Sequence, residues 1–97
     1  MRKIKPSSFT YKDIDAALDR LRNAIVRQLC LKGNEAFYSP LEGLGVITEE
    51  YHELITAIHE NNAVNTAAES LDLAVAAIWQ NMTSEDYITR YIKDPQD

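Results

Sequence analysis

Cysteine is nearly absent. Cys30 stands alone, which rules out an intrachain disulfide and leaves a small, buried, inert thiol as its expected role. Basic charge is also scarce: ten Lys and Arg against fifteen Asp and Glu give a formal net charge of −5. A sequence-independent grip on nucleic acid needs a basic surface to displace counterions, so a nucleic acid partner is not expected. An anionic small molecule is not excluded, because a bound divalent cation reverses the local sign. Long apolar runs are missing too. The longest, Leu71–Trp79, is interrupted by Asp72 and is too short to span a bilayer. The basic opening "MRKIKPSSF" has no apolar segment behind it, so no secretory signal is expected and the expected location is cytoplasmic. Three Gly and three Pro are too few for a low-complexity tract. Neither an internal repeat nor the polar–apolar alternation of a β-strand occurs. What is left, 45% hydrophobic and 26% charged, has the composition of one soluble globular domain. A chain of this size buries a modest core and commonly supplements it by self-association.

The patterns that are present are helical. Residues 1–9 read as a basic arm and residues 10–97 as a single helical domain. "FTYKDIDAALDRLRNAIVRQLCLKG" reads as a first helix, with Thr10 as N-cap and Gly33 as its stop. Ile14, Leu18, Leu21, Ile25 and Leu29 form its apolar stripe, with Ala17 and Ala24 beside them. After "NEAFYS", Ser39-Pro40 reads as an N-cap followed by proline at the first helical position. This second helix runs to about Asn61, and Gly43 and Gly45 weaken its first turns enough to expect regular helix only from near Val46. "ENNAVN" separates it from a third helix over Val64–Met82. A connection so short implies antiparallel neighbours. Thr83–Asp86 resembles a cap opening a short fourth helix through about Ile92, ended by Asp94-Pro95. The fold class is therefore all-α: an antiparallel helical bundle of three main helices and a short C-terminal one.

Against that pattern, "ESLDLAVAAIW" is odd. Asp72 lies between Leu71 and Leu73, and an unpaired buried carboxylate is costly. It must sit on a wet edge, pair with a cation or hold a metal. A helix turns about 100° per residue, so faces can be compared by arithmetic. On the second helix Ile47, Tyr51, Leu54 and Ile58 form the expected core stripe. Thr48, Glu49, His52, Thr56 and His59 form the solvated side. Glu50 and Glu53 share a flank with Val46 and Ala57, about 80–140° from the stripe centre. On the third helix Val64, Leu71, Val75, Ile78 and Met82 make the stripe, while Leu73, Ala76 and Ala77 occupy the other side with Glu69. A helix apolar nearly all round is covered on both sides. A second subunit, most simply related by a two-fold axis, is the expected cover.

Two acid pairs follow from the spacing. Glu50 and Glu53 are three apart, as are Glu69 and Asp72, and residues three apart on a helix are neighbours. On antiparallel helices the pairs put four carboxylates around one cavity, a hard-oxygen donor set suited to Mg²⁺ or Mn²⁺. Either half alone is weak, since clustered Glu normally faces water; the joint pattern is more specific.

Glu49-Glu50-x-x-Glu53, fifteen residues, then Glu69-x-x-Asp72 resembles the E-E-x-x-E…E-x-x-D signature of the MazG-like all-α nucleoside triphosphate pyrophosphohydrolases. The resemblance covers about residues 38–82. It implies a helical bundle completed as a homodimer or homotetramer. It also implies Mg²⁺-dependent cleavage between the α and β phosphates, giving a nucleoside monophosphate and pyrophosphate, with trimming of non-standard or surplus nucleotides as the purpose. Glu50, Glu53, Glu69 and Asp72 would be the metal ligands, and Glu49 a ligand or a holder of the attacking water. Phosphates would fall to Lys32, Arg90 or Lys93, and sugar or base to Asn81. Trp79 would stack on a base or pack in the core or an interface.

Two rival readings belong to other classes. Glu49-x-x-His52 fits the Glu-x-x-His string of di-iron or di-manganese carboxylate bundles, although both residues fall on the solvated face. A non-catalytic helical module, binding nucleotides or a protein, would use the second apolar face of the third helix as its contact surface. Stabilisation by Mg²⁺ separates a metal site from a merely solvated acidic face.

Overall fold

A computed structural model describes residues 6–93. Among them the chain is helical and carries no strand. Its helices are α1 (Tyr11–Lys32), α2 (Pro40–His59) and α3 (Ala63–Tyr87), the last continued by a π-helical turn, Ile88–Lys93. None of these helices is long and apolar enough to cross a membrane. Residues 6–10 are exposed and precede the first helix. The remainder of the expected arm, residues 1–5, and the Asp94-Pro95 stop lie outside the described residues.

Each helix starts where polar groups can meet its free N–H groups. Before α1, the Asp13 carboxylate accepts from the Thr10 N–H (2.7 Å) and the Thr10 hydroxyl (3.0 Å). At α2, Ser39 Oγ accepts from the Glu42 N–H (3.2 Å), and the Glu42 carboxylate accepts from the Tyr38 N–H (3.1 Å). At α3, Asn62 Oδ1 accepts from the Asn65 N–H (2.9 Å). Gly33 closes α1 at φ +94°, a conformation open to glycine because it has no Cβ.

Two boundaries depart from the sequence expectation, both because of contacts between distant segments. Regular helix begins at Pro40 rather than near Val46. Gly43 is buried where α2 meets α3, and a Cβ there would overlap the Gln80 side chain and the Phe37 ring. Its helix-weakening effect is offset by the close approach it permits. Likewise α3 does not end at Met82, and no separate fourth helix is capped at Thr83. The Thr83 hydroxyl donates to the Trp79 carbonyl (2.9 Å) and accepts from the Phe37 N–H (3.1 Å). It fastens the α1–α2 loop instead of opening a helix.

The helices α2 and α3 run antiparallel. Near the end of α3, Gln80 Nε2 donates to the carbonyl of Pro40, the first residue of α2 (3.1 Å). Their packed faces overlap the predicted ones in part. On α2, Gly43 and Ala57 are buried and Val46 and Glu50 half-buried; of the expected stripe Ile47 and Leu54 are half-buried, while Tyr51 and Ile58 are exposed. On α3, Val75 of the expected stripe is buried with Ala76 and Trp79, and Leu71 and Ile78 are half-buried, whereas Val64 and Met82 are exposed. Burial thus extends from the expected stripes onto the small-residue flanks that carry the acids. One member of each acid pair is half-buried there, Glu50 and Glu69, and the other, Glu53 and Asp72, is exposed, so Asp72 sits on a wet edge.

The first helix touches α3 through half-buried Leu21, Ala24, Ile25 and Gln28. Ile14, Leu18 and Leu29 of its expected stripe remain exposed. Cys30, expected to be buried, is exposed, because it lies half a turn away from Leu21 and Ile25.

Candidate metal centre

Helical spacing brings the acids together. Glu50 and Glu53 come from the middle of α2, Glu69 and Asp72 from the first half of α3. Carboxylate oxygens of Glu50, Glu69 and Asp72 lie within 4.8 Å of one another. Glu53 is exposed, yet its carboxyl is close enough to raise the proton affinity of both Glu50 and Glu69.

The electrostatics are those of a crowded anionic site. The Glu50 carboxyl is pushed above its ordinary range, first by burial and then by the charges of Glu53, Asp72 and Glu69. Glu69 is raised as well, by burial, by contact with Glu53 and by the charge of Asp72. Glu50 Oε2 and Glu69 Oε2 are sealed from solvent with no hydrogen-bond partner. A buried anionic oxygen without a partner is stabilised by a proton or a cation. Three to four convergent carboxylates, two with orphaned oxygens, fit a hard divalent cation.

The cluster opens on two hollows. Glu50 and Asp72 line a cavity of 430 Å³ beneath α1, whose apolar wall includes Phe37, Val46, Val75 and Trp79. Glu53 and Glu69 line a shallower recess of 210 Å³ toward the α2–α3 turn. The first is within the usual size range of small-molecule sites.

Other sequence candidates distribute unevenly. Lys32 and Trp79 line the larger cavity. Trp79 is buried, and its Nε1–H donates to the Glu35 carbonyl (2.9 Å), so its indole edge is committed to the loop after α1. Glu49 and His52 are exposed, and neither lines a described hollow. Asn81 is exposed and lines none of the three. Nine residues past Asp72 is a half-turn off its face. Arg90 borders a different hollow of 370 Å³ and pairs with Asp86 (3.1 Å). Both Arg90 and Lys93 stand about 27 Å or more along the helix axis from Asp72, beyond reach of the acids.

The sequence expectation passed over the α1 wall of the larger cavity, which includes Arg20, Asn23 and Arg27. A signal existed in their spacing. Seven residues bring Arg20 and Arg27 to within about 20° of one another around the helix, although about 140–160° from the centre of the apolar stripe by which α1 was recognised. Searches against protein families, curated proteins and solved structures find no match to this chain.

Proposed function

We propose that the chain is a Mg²⁺-dependent nucleoside triphosphate pyrophosphohydrolase of the MazG-like type, converting a nucleoside or deoxynucleoside triphosphate to the monophosphate and pyrophosphate. Its purpose is the removal of non-standard or surplus nucleotides. One observation carries the proposal: Glu50, Glu69 and Asp72 converge within 4.8 Å beside a cavity, with two buried carboxylate oxygens unpartnered. A solvated acidic face would keep every such oxygen in water.

In this mechanism Glu50, Glu69 and Asp72 would hold the metal, with Glu53 completing the donor set from its exposed position. The chemistry that Mg²⁺ would supply there is charge neutralisation for the phosphates and a lowered pKa for a bound water. Phe37, Val46 and Val75 keep one side of the cavity apolar, strengthening electrostatic interactions within it. The Trp79 indole, fixed by its bond to Glu35, shapes the cavity wall.

The same proposal includes a second copy of the chain, as a homodimer or homotetramer. Several observations support it. The radius of gyration is 16.3 Å, against about 13 Å for a compact chain of this length. The accessible surface is 8150 Å², against about 5600 Å² expected for a monomer of this mass. Ile14 and Leu18 on α1, Tyr51 and Ile58 on α2, and Val64 and Met82 on α3 are apolar residues left exposed. Two-fold association would cover them and complete a helical bundle.

The test is a pyrophosphate-release assay over common and modified nucleoside triphosphates with Mg²⁺ or Mn²⁺. Release from at least one, lost on chelation, is the expected result; no release from any removes the enzymatic assignment.

A further inference from the structure

The wall opposite the acids carries three cations, Arg20, Arg27 and Lys32, with Asn23 between the arginines. Their place on the cavity wall distinguishes them from the exposed Arg22 on the same helix. An acid three or four residues away on a helix can pair with an arginine. Arg22 has Asp19 at such a position, although the two form no ion pair. Arg20 has Ala16, Ala17, Asn23 and Ala24 at those positions, and Arg27 has Asn23, Ala24, Cys30 and Leu31. Among the described residues the ion pair present is Arg90–Asp86, so neither cavity-facing arginine has a carboxylate partner. Arg20 and Arg27 are two turns apart, about 10 Å along the axis. They flank Asn23 and face the cavity that Glu50 and Asp72 line from below.

We infer that Arg20 and Arg27, with Asn23 between them, form the phosphate-binding jaw of this cavity and hold an oligophosphate chain against the carboxylate side. The inference rests on the proposed metal-dependent reading of Glu50 and Asp72. Cations and carboxylates on opposing walls do not neutralise one another directly here. A metal-complexed oligophosphate satisfies both walls: its cation meets the carboxylates and its free oxygens meet the guanidinium groups. Arginine suits this task because its planar fork donates two parallel hydrogen bonds to one phosphate. The apolar part of the cavity leaves room beyond the jaw for a base or sugar.

The probe is inorganic triphosphate with Mg²⁺, measured by calorimetry and melting shift on the intact chain. The Arg20→Ala, Arg27→Ala and doubly substituted proteins are compared with Arg22→Ala, an equal charge change on a residue outside the cavity. All three arginines are exposed, so each variant is expected to fold. Each cavity arginine should weaken binding by about tenfold or more, while Arg22→Ala stays within about twofold of wild type. A second arm uses a Mg²⁺-bound nucleoside triphosphate: tighter binding than triphosphate assigns the jaw to a nucleotide, and equal binding to a free oligophosphate. Unchanged binding in the double variant, or no binding of triphosphate by wild type, overturns the inference. Mg²⁺ binding alone and pyrophosphate release are scored separately. Wild-type hydrolysis with an unaltered KM in the double variant therefore rejects the jaw and leaves the enzyme standing. Arginine-dependent triphosphate binding without hydrolysis does the reverse.

Discussion

Glu50 on α2 and Glu69 on α3 each carry a solvent-inaccessible Oε2, and neither oxygen has a hydrogen-bond donor. The two carboxylates, with Asp72, bring oxygens within 4.8 Å. Their mutual repulsion and their unpaired oxygens work against the α2–α3 packing until something positive arrives. Mg²⁺ at millimolar concentration should therefore raise the melting temperature relative to the same protein in chelator. Glu50→Gln should raise the metal-free melting temperature and abolish the Mg²⁺ shift. A wild-type protein indifferent to both Mg²⁺ and Mn²⁺ would remove the metal centre.

The same pair sets a pH dependence. Glu50 and Glu69 hold their protons more tightly when folded than the ordinary value of 4.5. Above that value the native state binds more protons than the unfolded chain, so stability falls as pH rises through the raised values. In chelator, wild type should lose more stability than Glu50→Gln between about pH 5 and pH 8. Mg²⁺ should reverse the loss at the upper end, because metal ligation requires the deprotonated carboxylates. Thermal melts of both proteins across that range decide it.

Among the acids, activity should follow position. Asp72→Asn removes an oxygen from the converging set and should lower kcat by at least about 100-fold, the upper range for loss of a metal's supporting shell. Glu53→Gln, whose carboxyl abuts both Glu50 and Glu69, should lower it substantially. Glu49→Gln should cost far less, since Glu49 is exposed and lines none of the hollows. Pyrophosphate release by the three variants provides the ranking, and a Glu49 effect as large as that of Asp72 would require Glu49 to turn inward or serve a neighbouring subunit.

Gly43 separates a packing role from a propensity role. Alanine is the better helix former, yet its Cβ would meet Gln80 and Phe37. Gly43→Ala should destabilise by about 1–3 kcal/mol through overpacking. Adding Gln80→Ala should recover part of that by removing the nearest obstruction. Denaturant melts of the two single variants and the double variant measure the coupling.

The exposed apolar residues of α1 predict self-association. Wild type should sediment as a dimer or tetramer, with a melting temperature that rises with concentration. Leu18→Glu, at a side chain 58% exposed in one chain, should shift sedimentation toward monomer. A concentration-independent monomer in wild type would leave α1 as a solvated arm.

The sequence by itself determined the helices and the meeting of the acids. Capping residues Thr10, Ser39 and Asn62 act on their own first turns, and local chemistry of that kind is legible without a fold. The three-residue spacings within Glu50/Glu53 and Glu69/Asp72, with the short turn at residues 60–62, put both acid pairs on adjoining antiparallel helices. Only the tertiary structure decided which way those helices face. Side-chain hydropathy favoured burying the Ile47–Ile58 and Val64–Met82 stripes, but close approach at Gly43 and the anchoring of Trp79 and Thr83 to the α1–α2 loop bury the small-residue flanks as well. Glu50 and Glu69 are half-buried on those flanks, and Tyr51, Ile58, Val64 and Met82 at the stripes' outer margins stay exposed. Tertiary structure likewise brought Arg20 and Arg27 to the cavity that Glu50 and Asp72 line, and put Arg90 on a different hollow. Helical period fixes which residues share a face; only packing between distant segments fixes what that face meets.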